Sequence, residues 1–225
     1  MLEISKNLHV YDNFFINPDK VIDLGQQLSY NNHTSYPGKR SDNLFTIQDP
    51  NVHEFAKFFT KKIADTVLYG LEKFEIDIRF HYNDVYNNTE ANYGWIHNDS
   101  VEYAGLVYLS NIPTSMNHGT SIYDKLDPND FSTDDFDSRK QFNISKEVTD
   151  QYLQDLKNNH NQFKETINVG YKYNRLVAYD AMMWHRPNNY LIENSNRFSL
   201  LFFINNTKIK KQDSLLKLTS EWKDL

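Results

Sequence analysis

Residues 76–83 read Ile-Asp-Ile-Arg-Phe-His-Tyr-Asn (IDIRFHYN). Ile76, Ile78, Phe80 and Tyr82 alternate with Asp77, Arg79, His81 and Asn83, and a period of two sends the two sets to opposite faces of an extended chain. The segment is a half-buried strand, and it marks where the periodicity of the chain changes. On its N-terminal side the apolar spacing is helical: Val52, Phe55, Phe58, Phe59, Ile63, Val67 and Leu71 predict a helix over 51–71. On its C-terminal side come short apolar runs bounded by turn formers, which predict strands at 95–98, 103–110, 119–123, 175–179 and 197–205. The last of these, RFSLLFFIN, is the strongest strand signal.

Farther out, residues 10–15 predict a short strand and the next segment a helix. Pro18 stands in its first turn, and Val21, Ile22, Leu24 and Leu28 supply its apolar stripe. Residues 33–43 (HTSYPGKRSDN) are dense in turn formers and predict a surface loop. An insertion over 124–168 is rich in Asp, Asn, Lys and Ser, with a helix predicted over 146–164. Its acidic run DPNDFSTDDFD (127–137) reads as a solvated loop rather than a calcium site. The whole predicts one domain over 1–225: a helical part at 1–75, a β core at 76–206 carrying the insertion, and a tail at 207–225. Its class is mainly β with N-terminal helices, an antiparallel sandwich or barrel with helices on one side.

Composition narrows the chemistry. The chain has no cysteine, so disulfides, thiolate metal sites and cysteine nucleophiles are excluded, and any metal must be held by His and carboxylates. A net charge of −6 without a Lys/Arg run argues against bulk nucleic-acid binding. No apolar stretch is long enough to span a membrane and the N-terminus lacks the layout of a secretory signal, so a cytoplasmic protein is expected. A Gly-x-Ser-x-Gly elbow is also missing, which disfavours a serine hydrolase.

His97-Asn98-Asp99 closes one predicted strand, and residues two apart on a strand share a face, so both side chains can reach one point. Eight His and twenty Asp in 225 residues yield about 0.7 such pairs by chance, so the pair acquires meaning only from what accompanies it. His185 ends another strand, within RLVAYDAMMWHRPNNY. Arg197 follows twelve residues later, with Ser199 on the same face of its strand. Two imidazoles and one carboxylate are the facial triad that binds non-haem Fe(II) and leaves sites for a bidentate 2-oxo acid and O₂. An arginine inside an apolar strand is costly unless it meets an anion, and its planar fork matches the distal carboxylate of 2-oxoglutarate. Ser199 would add a hydroxyl donor.

The order His-x-Asp, a long gap, His, then Arg-x-Ser, with VYNNTEANYGWIHND, AGLVYLSNIP, HGTSIY, WHRP and NRFSLLFFIN around it, resembles the iron(II)/2-oxoglutarate dioxygenase superfamily. The likeness is greatest to the prolyl-4-hydroxylase-like branch and its small bacterial and viral members, and spans about residues 76–205. The resemblance implies a double-stranded β-helix, a distorted, cupin-like jelly roll. It also implies decarboxylation of 2-oxoglutarate coupled to hydroxylation of a small-molecule or peptidyl substrate by O₂. Metal ligation falls to His97, Asp99 and His185, and co-substrate binding to Arg197, Ser199, Tyr86 and Tyr108. Tyr-Pro-Gly-Lys-Arg at 36–40 resembles a loop of small members, which makes Tyr36 and Arg40 candidate substrate contacts. Trp95 and Arg186 flank ligands and are candidates for the cavity mouth. His118 stands where the branch usually has Gly and adds an imidazole near the site. Two other readings stay open on the same fold: a cupin-like metal protein with another reaction, and a binding module without activity.

Overall fold

The computed structural model describes residues 8–33, 36–69, 71–83, 86, 89–128, 136–190 and 197–209. Strand β1 (Leu8–Tyr11) leads to helix α1 (Pro18–Gln26), the two-residue strands β2 (Asn31–Asn32) and β3 (Lys39–Arg40), and helix α2 (Pro50–Thr66). Then come β4 (Leu71–Asn83), β5 (Tyr103–Tyr108), β6 (Ser115–Lys125), α3 (Asp137–Ser145) and α4 (Asp150–His160). The described chain ends with β7 (Phe163–Tyr171), β8 (Leu176–Asp180), β9 (Trp184–Pro187) and β10 (Arg197–Ile209). Among the described residues no helix is long and apolar enough to cross a membrane.

The two long-range packing helices start where local chemistry dictates. Asn17 accepts from Lys20 N and Asp49 accepts from Asn51 N and Val52 N, and each cap is followed by a proline that has no N–H to satisfy. The strands form two antiparallel sheets, one of seven in the order β1-β8-β5-β10-β4-β3-β2 and one of three in the order β7-β6-β9. Strand β10 lies between β4 and β5, so its two faces organise the molecule.

On one face Phe198, Leu200, Phe202 and Ile204 join Ile78 and Phe80 of β4 beneath α1 and α2, packing on Val21, Val52, Ala56, Phe59 and Ile63. On the other, Leu201 and Phe203 meet Ala104, Leu106 and Tyr108 of β5, Tyr179 of β8, and Ile122, Val169 and Tyr171 of the small sheet. The alternation read at 76–83 is real, but the polar face of that strand does not face water. His81 and Asn83 are buried and line a cavity between the sheets.

Several expectations change. No strand forms at 95–98: the backbone of Ile96 pairs with the side-chain amide of Asn159 on α4, and only His97 bridges, to His185. The predicted strand at 10–15 is Leu8–Tyr11, those at 103–110 and 175–179 are β5 and β8, and the one at 119–123 extends to Ser115–Lys125. The helix over 51–71 stops at Thr66, because Leu71 already pairs with Ile209 in β4. The region 33–43 is not only a surface loop, since β2 and β3 extend the large sheet past β4. The insertion 124–168 contains α3, a helix α4 shorter than predicted, and part of β7. Neither β7 nor β9 stands out in the sequence, since β7 carries an exposed, polar half over Lys164–Thr166 and β9 is only four residues long. The tail begins later than expected, because β10 continues to Ile209. Most of the acidic run (129–135) and residues 210–225 lie outside the described residues.

Candidate metal centre

His97 and His185 come from segments 88 residues apart, yet their backbones exchange two hydrogen bonds, His97 N to His185 O at 3.0 Å and His185 N to His97 O at 2.8 Å. Asp99 N donates to Ala181 O at 2.9 Å, which draws the third residue to the same edge. One donor atom from each of His97, Asp99 and His185 falls in a cluster no wider than 4.8 Å. His97 Nε2 is 3.8 Å from Asp99 Oδ1, and His185 Nε2 is 3.4 Å from Asp99 Oδ2.

The other ring nitrogens fix the tautomers. His97 Nδ1 is 2.8 Å from Trp95 O and His185 Nδ1 is 2.8 Å from Met183 O. A carbonyl only accepts, so each Nδ1 carries the proton and each Nε2 presents a lone pair to the cluster. Burial and the neighbouring His185 push the pKa of His97 down to about 4, so this ring is neutral at pH 7. Burial raises the pKa of Asp99, but contact with His185 and the charges of His97, His185 and Arg40 outweigh it and hold it at about 2. Two imidazole Nε2 atoms and a carboxylate thus converge, which is the donor set of a divalent cation.

The cluster opens into a cavity of about 620 Å³, within the range that takes a small organic ligand. Tyr36, Arg40, Tyr86, Trp95, Arg197 and Ser199 all line it. Arg197 is only 2% exposed. Its Nη1 donates to Gly119 O at 3.3 Å, and its Cζ lies 5.1 Å from the Tyr108 ring centroid and 5.9 Å from that of Tyr190. Among the described residues it joins no ion pair. Gly119 is obligatory beside it, since a Cβ there would lie 1.8 Å from Val169 O. Ser199 sits two residues along β10 and opposite His81.

Three sequence-predicted positions fall elsewhere. Tyr108 stands one layer behind the wall, under Arg197, with its hydroxyl 2.7 Å from Thr120 Oγ1; Thr120 lines the cavity in its place. Arg186 alternates away from His185 and donates to Tyr123 Oη at 2.7 Å and to His160 Nδ1 at 3.1 Å. The His118 imidazole donates to Asn189 O at 3.1 Å and does not line the cavity.

Sequence reasoning missed the wall that α3 and α4 build. Phe142 and Tyr152 pack on Tyr86 and Trp95, and Trp95 Nε1 donates to Tyr152 Oη at 3.2 Å. It also missed Asn159, 1% exposed, which accepts from Ile96 N at 2.9 Å and donates to Ile96 O at 3.0 Å. No local signal marks it, because its partner is 63 residues away. We expect Asn159→Ala to cost about 2–4 kcal/mol, since it strands two buried backbone groups next to a metal ligand. Urea unfolding checks the stability, and a parallel loss of metal affinity checks the link to His97.

His160 lies just beyond. Burial, then the Arg186 guanidinium, push its pKa down to about 4. Its neutral ring donates from Nε2 to Gly94 O and accepts from Arg186. Unfolded histidine titrates near 6.5, so the unfolded chain binds more protons between the two values. Stability of the metal-free protein is therefore complete above about pH 6.5 and falls progressively towards about pH 4. Denaturant midpoints across that window should fall with pH, and the fall should be shallower in His160→Asn.

Comparisons with known structures find similar folds. HygX from Streptomyces hygroscopicus with nickel, 2-oxoglutarate and hygromycin B bound is similar with a TM-score of 0.54 at 10% identity, over 89% of this chain and 83% of that one. The same protein with iron bound gives 0.50 at 11% identity, over 89% and 82%. A prolyl-4-hydroxylase from Pseudomonas putida gives 0.40 at 11% identity, over 90% and 94%. Among curated proteins none matches the sequence. The HygX likeness shows the fold, an antiparallel jelly roll. At the level of sequence a family model matches residues 2–199, and the chain belongs to that family, DUF6445, a family of unknown function.

Proposed function

We propose that this protein is an iron(II)- and 2-oxoglutarate-dependent oxygenase that hydroxylates a small-molecule or peptidyl substrate. One observation carries the reading: a His₂Asp donor cluster and a fully buried arginine with no carboxylate partner among the described residues line the same cavity. A guanidinium is expensive to bury alone, and a dicarboxylate chelated at the cluster supplies the anion it lacks.

In this reading His97, Asp99 and His185 hold the iron, which, when bound, couples decarboxylation of 2-oxoglutarate and consumption of O₂ to insertion of one oxygen into a substrate C–H bond, leaving succinate and CO₂. The chain's own residues prepare that event. Trp95 O and Met183 O keep the Nδ1 protons in place, so both rings offer Nε2 without reorganisation. Arg197 takes the distal carboxylate and Ser199 adds a donor, which orients the oxo acid along β10. Aromatic walls from Tyr86, Trp95, Tyr152 and Tyr190 exclude water from the reacting face.

The test is spectroscopic. Anaerobic protein with Fe(II) and 2-oxoglutarate should develop a weak visible charge-transfer band, and air should then release succinate slowly. Protein that binds Fe(II) but gives neither band nor succinate would sink the oxygenase reading and leave a metal protein of another activity.

A further inference from the structure

Arg40 and Arg139 are the cations on the walls of this cavity that the co-substrate chemistry leaves over, and Arg40 is the one whose charge acts on Asp99. On the oxygenase reading, on which this inference rests, iron(II), Asp99, 2-oxoglutarate and Arg197 together carry no net charge. Arg40 then stands as a further cation on the same walls, close enough for its charge to act on Asp99.

Among the described residues Arg40 forms no ion pair. No hydrogen bond joins its guanidinium to any described residue, and its Nε is closed off from solvent without a partner. Asp77, whose charge also reaches it, has both oxygens taken by Arg79, at 2.8 and 2.9 Å. Instead Arg40 Cζ stands over the Tyr36 ring, 3.6 Å from its centroid, and 5.4 Å from the centroid of Phe203. A cation–π contact uses none of the guanidinium N–H donors, so they remain for a ligand.

The support is rigid. β3 pairs Arg40 with His81, His81 Nε2 donates to Pro37 O at 2.9 Å, and Gly38 makes the turn at φ +80°, where a Cβ would lie 2.1 Å from Tyr82 O. A guanidinium held in place over an aromatic ring, partly desolvated and unpaired is built for an oxyanion, because such a group regains there the hydrogen bonds it gave up in water.

We infer that the substrate is anionic and that its carboxylate or phosphate is bound by Arg40 on the Tyr36 platform, at the Asp99 side of the cavity. The aromatic walls suit an apolar or planar body between that anchor and the metal. Arg40 is thus the specificity determinant, separate from the co-substrate arginine.

The experiment titrates phenylacetate, phenyl phosphate and neutral phenylacetamide into protein loaded with nickel(II) and 2-oxoglutarate, by calorimetry. At least one anion should bind, with phenylacetamide weaker by about tenfold or more. Arg40→Gln should raise the Kd of the bound anion by about tenfold or more, and Arg40→Lys, which keeps the charge but loses the fork, should fall between. The preferred anion identifies the oxyanion.

Equal binding to Arg40→Gln, an amide that binds as well as the anions, or no anion binding overturns the inference. So does an anion that displaces 2-oxoglutarate, because it then occupies Arg197. If the wild type fails to hold 2-oxoglutarate, the oxygenase reading falls instead. The anions are then titrated into metal-free Arg197→Met, where dependence on Arg40 still decides the assignment.

Discussion

Arg197→Met should weaken 2-oxoglutarate binding by about 100-fold or more and, in the same molecule, raise the melting temperature of the metal-free protein. The two effects have one cause. Arg197 is almost wholly buried, and among the described residues it has one long hydrogen bond to a backbone carbonyl and no carboxylate. Without the co-substrate it is a charge taken out of water with little return. Replacing such a group by an apolar side chain of similar length stabilises by about 1–4 kcal/mol in favourable cases. With the co-substrate the sign reverses: loss of a buried bidentate ion pair costs about 3 kcal/mol or more, roughly 100-fold in Kd. Melting curves with and without 2-oxoglutarate separate the two. The wild type should gain stability from the ligand and the variant should not, while Fe(II) binding survives. A variant that melts lower in both conditions would mean that Arg197 is a structural residue with a partner in the fold.

The second large effect is at the metal. Asp99→Ala should lower Fe(II) affinity by more than ~100-fold, beyond what loss of an outer-shell partner typically costs. Asp99 supplies the only negative charge in the donor set, and its oxygens stand within 3.8 Å of both Nε2 atoms. Removing it leaves two neutral imidazoles. His185→Ala should do the same and also open a hole beside Tyr179, whose ring centroid lies 4.5 Å from that of His185. Metal content after dialysis and the Fe(II)–2-oxoglutarate band are the measurements. Retention of both in His97→Ala/Asp99→Ala would show that the metal is held elsewhere.

These predictions concern residues that were legible in the sequence, and the reason is geometric. A strand fixes which side chains share a face, so Arg197 with Ser199, and the alternation at 76–83, follow from period two alone. His97 and Asp99 are two apart for the same reason, although the segment is held extended by Asn159 and His185 rather than by a strand partner. The helices at 18–26 and 50–66 were legible from their apolar stripes and, for the first, from Pro18 in its first turn. Their ends were not, because a helix stops where the next strand must begin.

Tertiary structure decided the rest. The polar side of β4 read as a solvent face, yet a second sheet covers it and makes it the cavity floor. Tyr108 read as a cavity residue, yet the approach of the small sheet places Thr120 in front of it. Arg186 read as part of the mouth, yet the alternation of a four-residue strand that the sequence did not reveal turns it outward. Residues 36–40 read as part of a surface loop, yet pairing with β4 brings Arg40 inside.

By itself the sequence determined the donor types, their order and the faces of the strands that carry them, because side-chain chemistry and backbone period are local properties. Which of those faces meet, and which polar groups are thereby cut off from water, was settled only when residues distant in the chain were brought into contact, as His97 and His185 are across 88 positions. Burial is a property of the packed whole, and it turns an ordinary arginine into one that needs an anion.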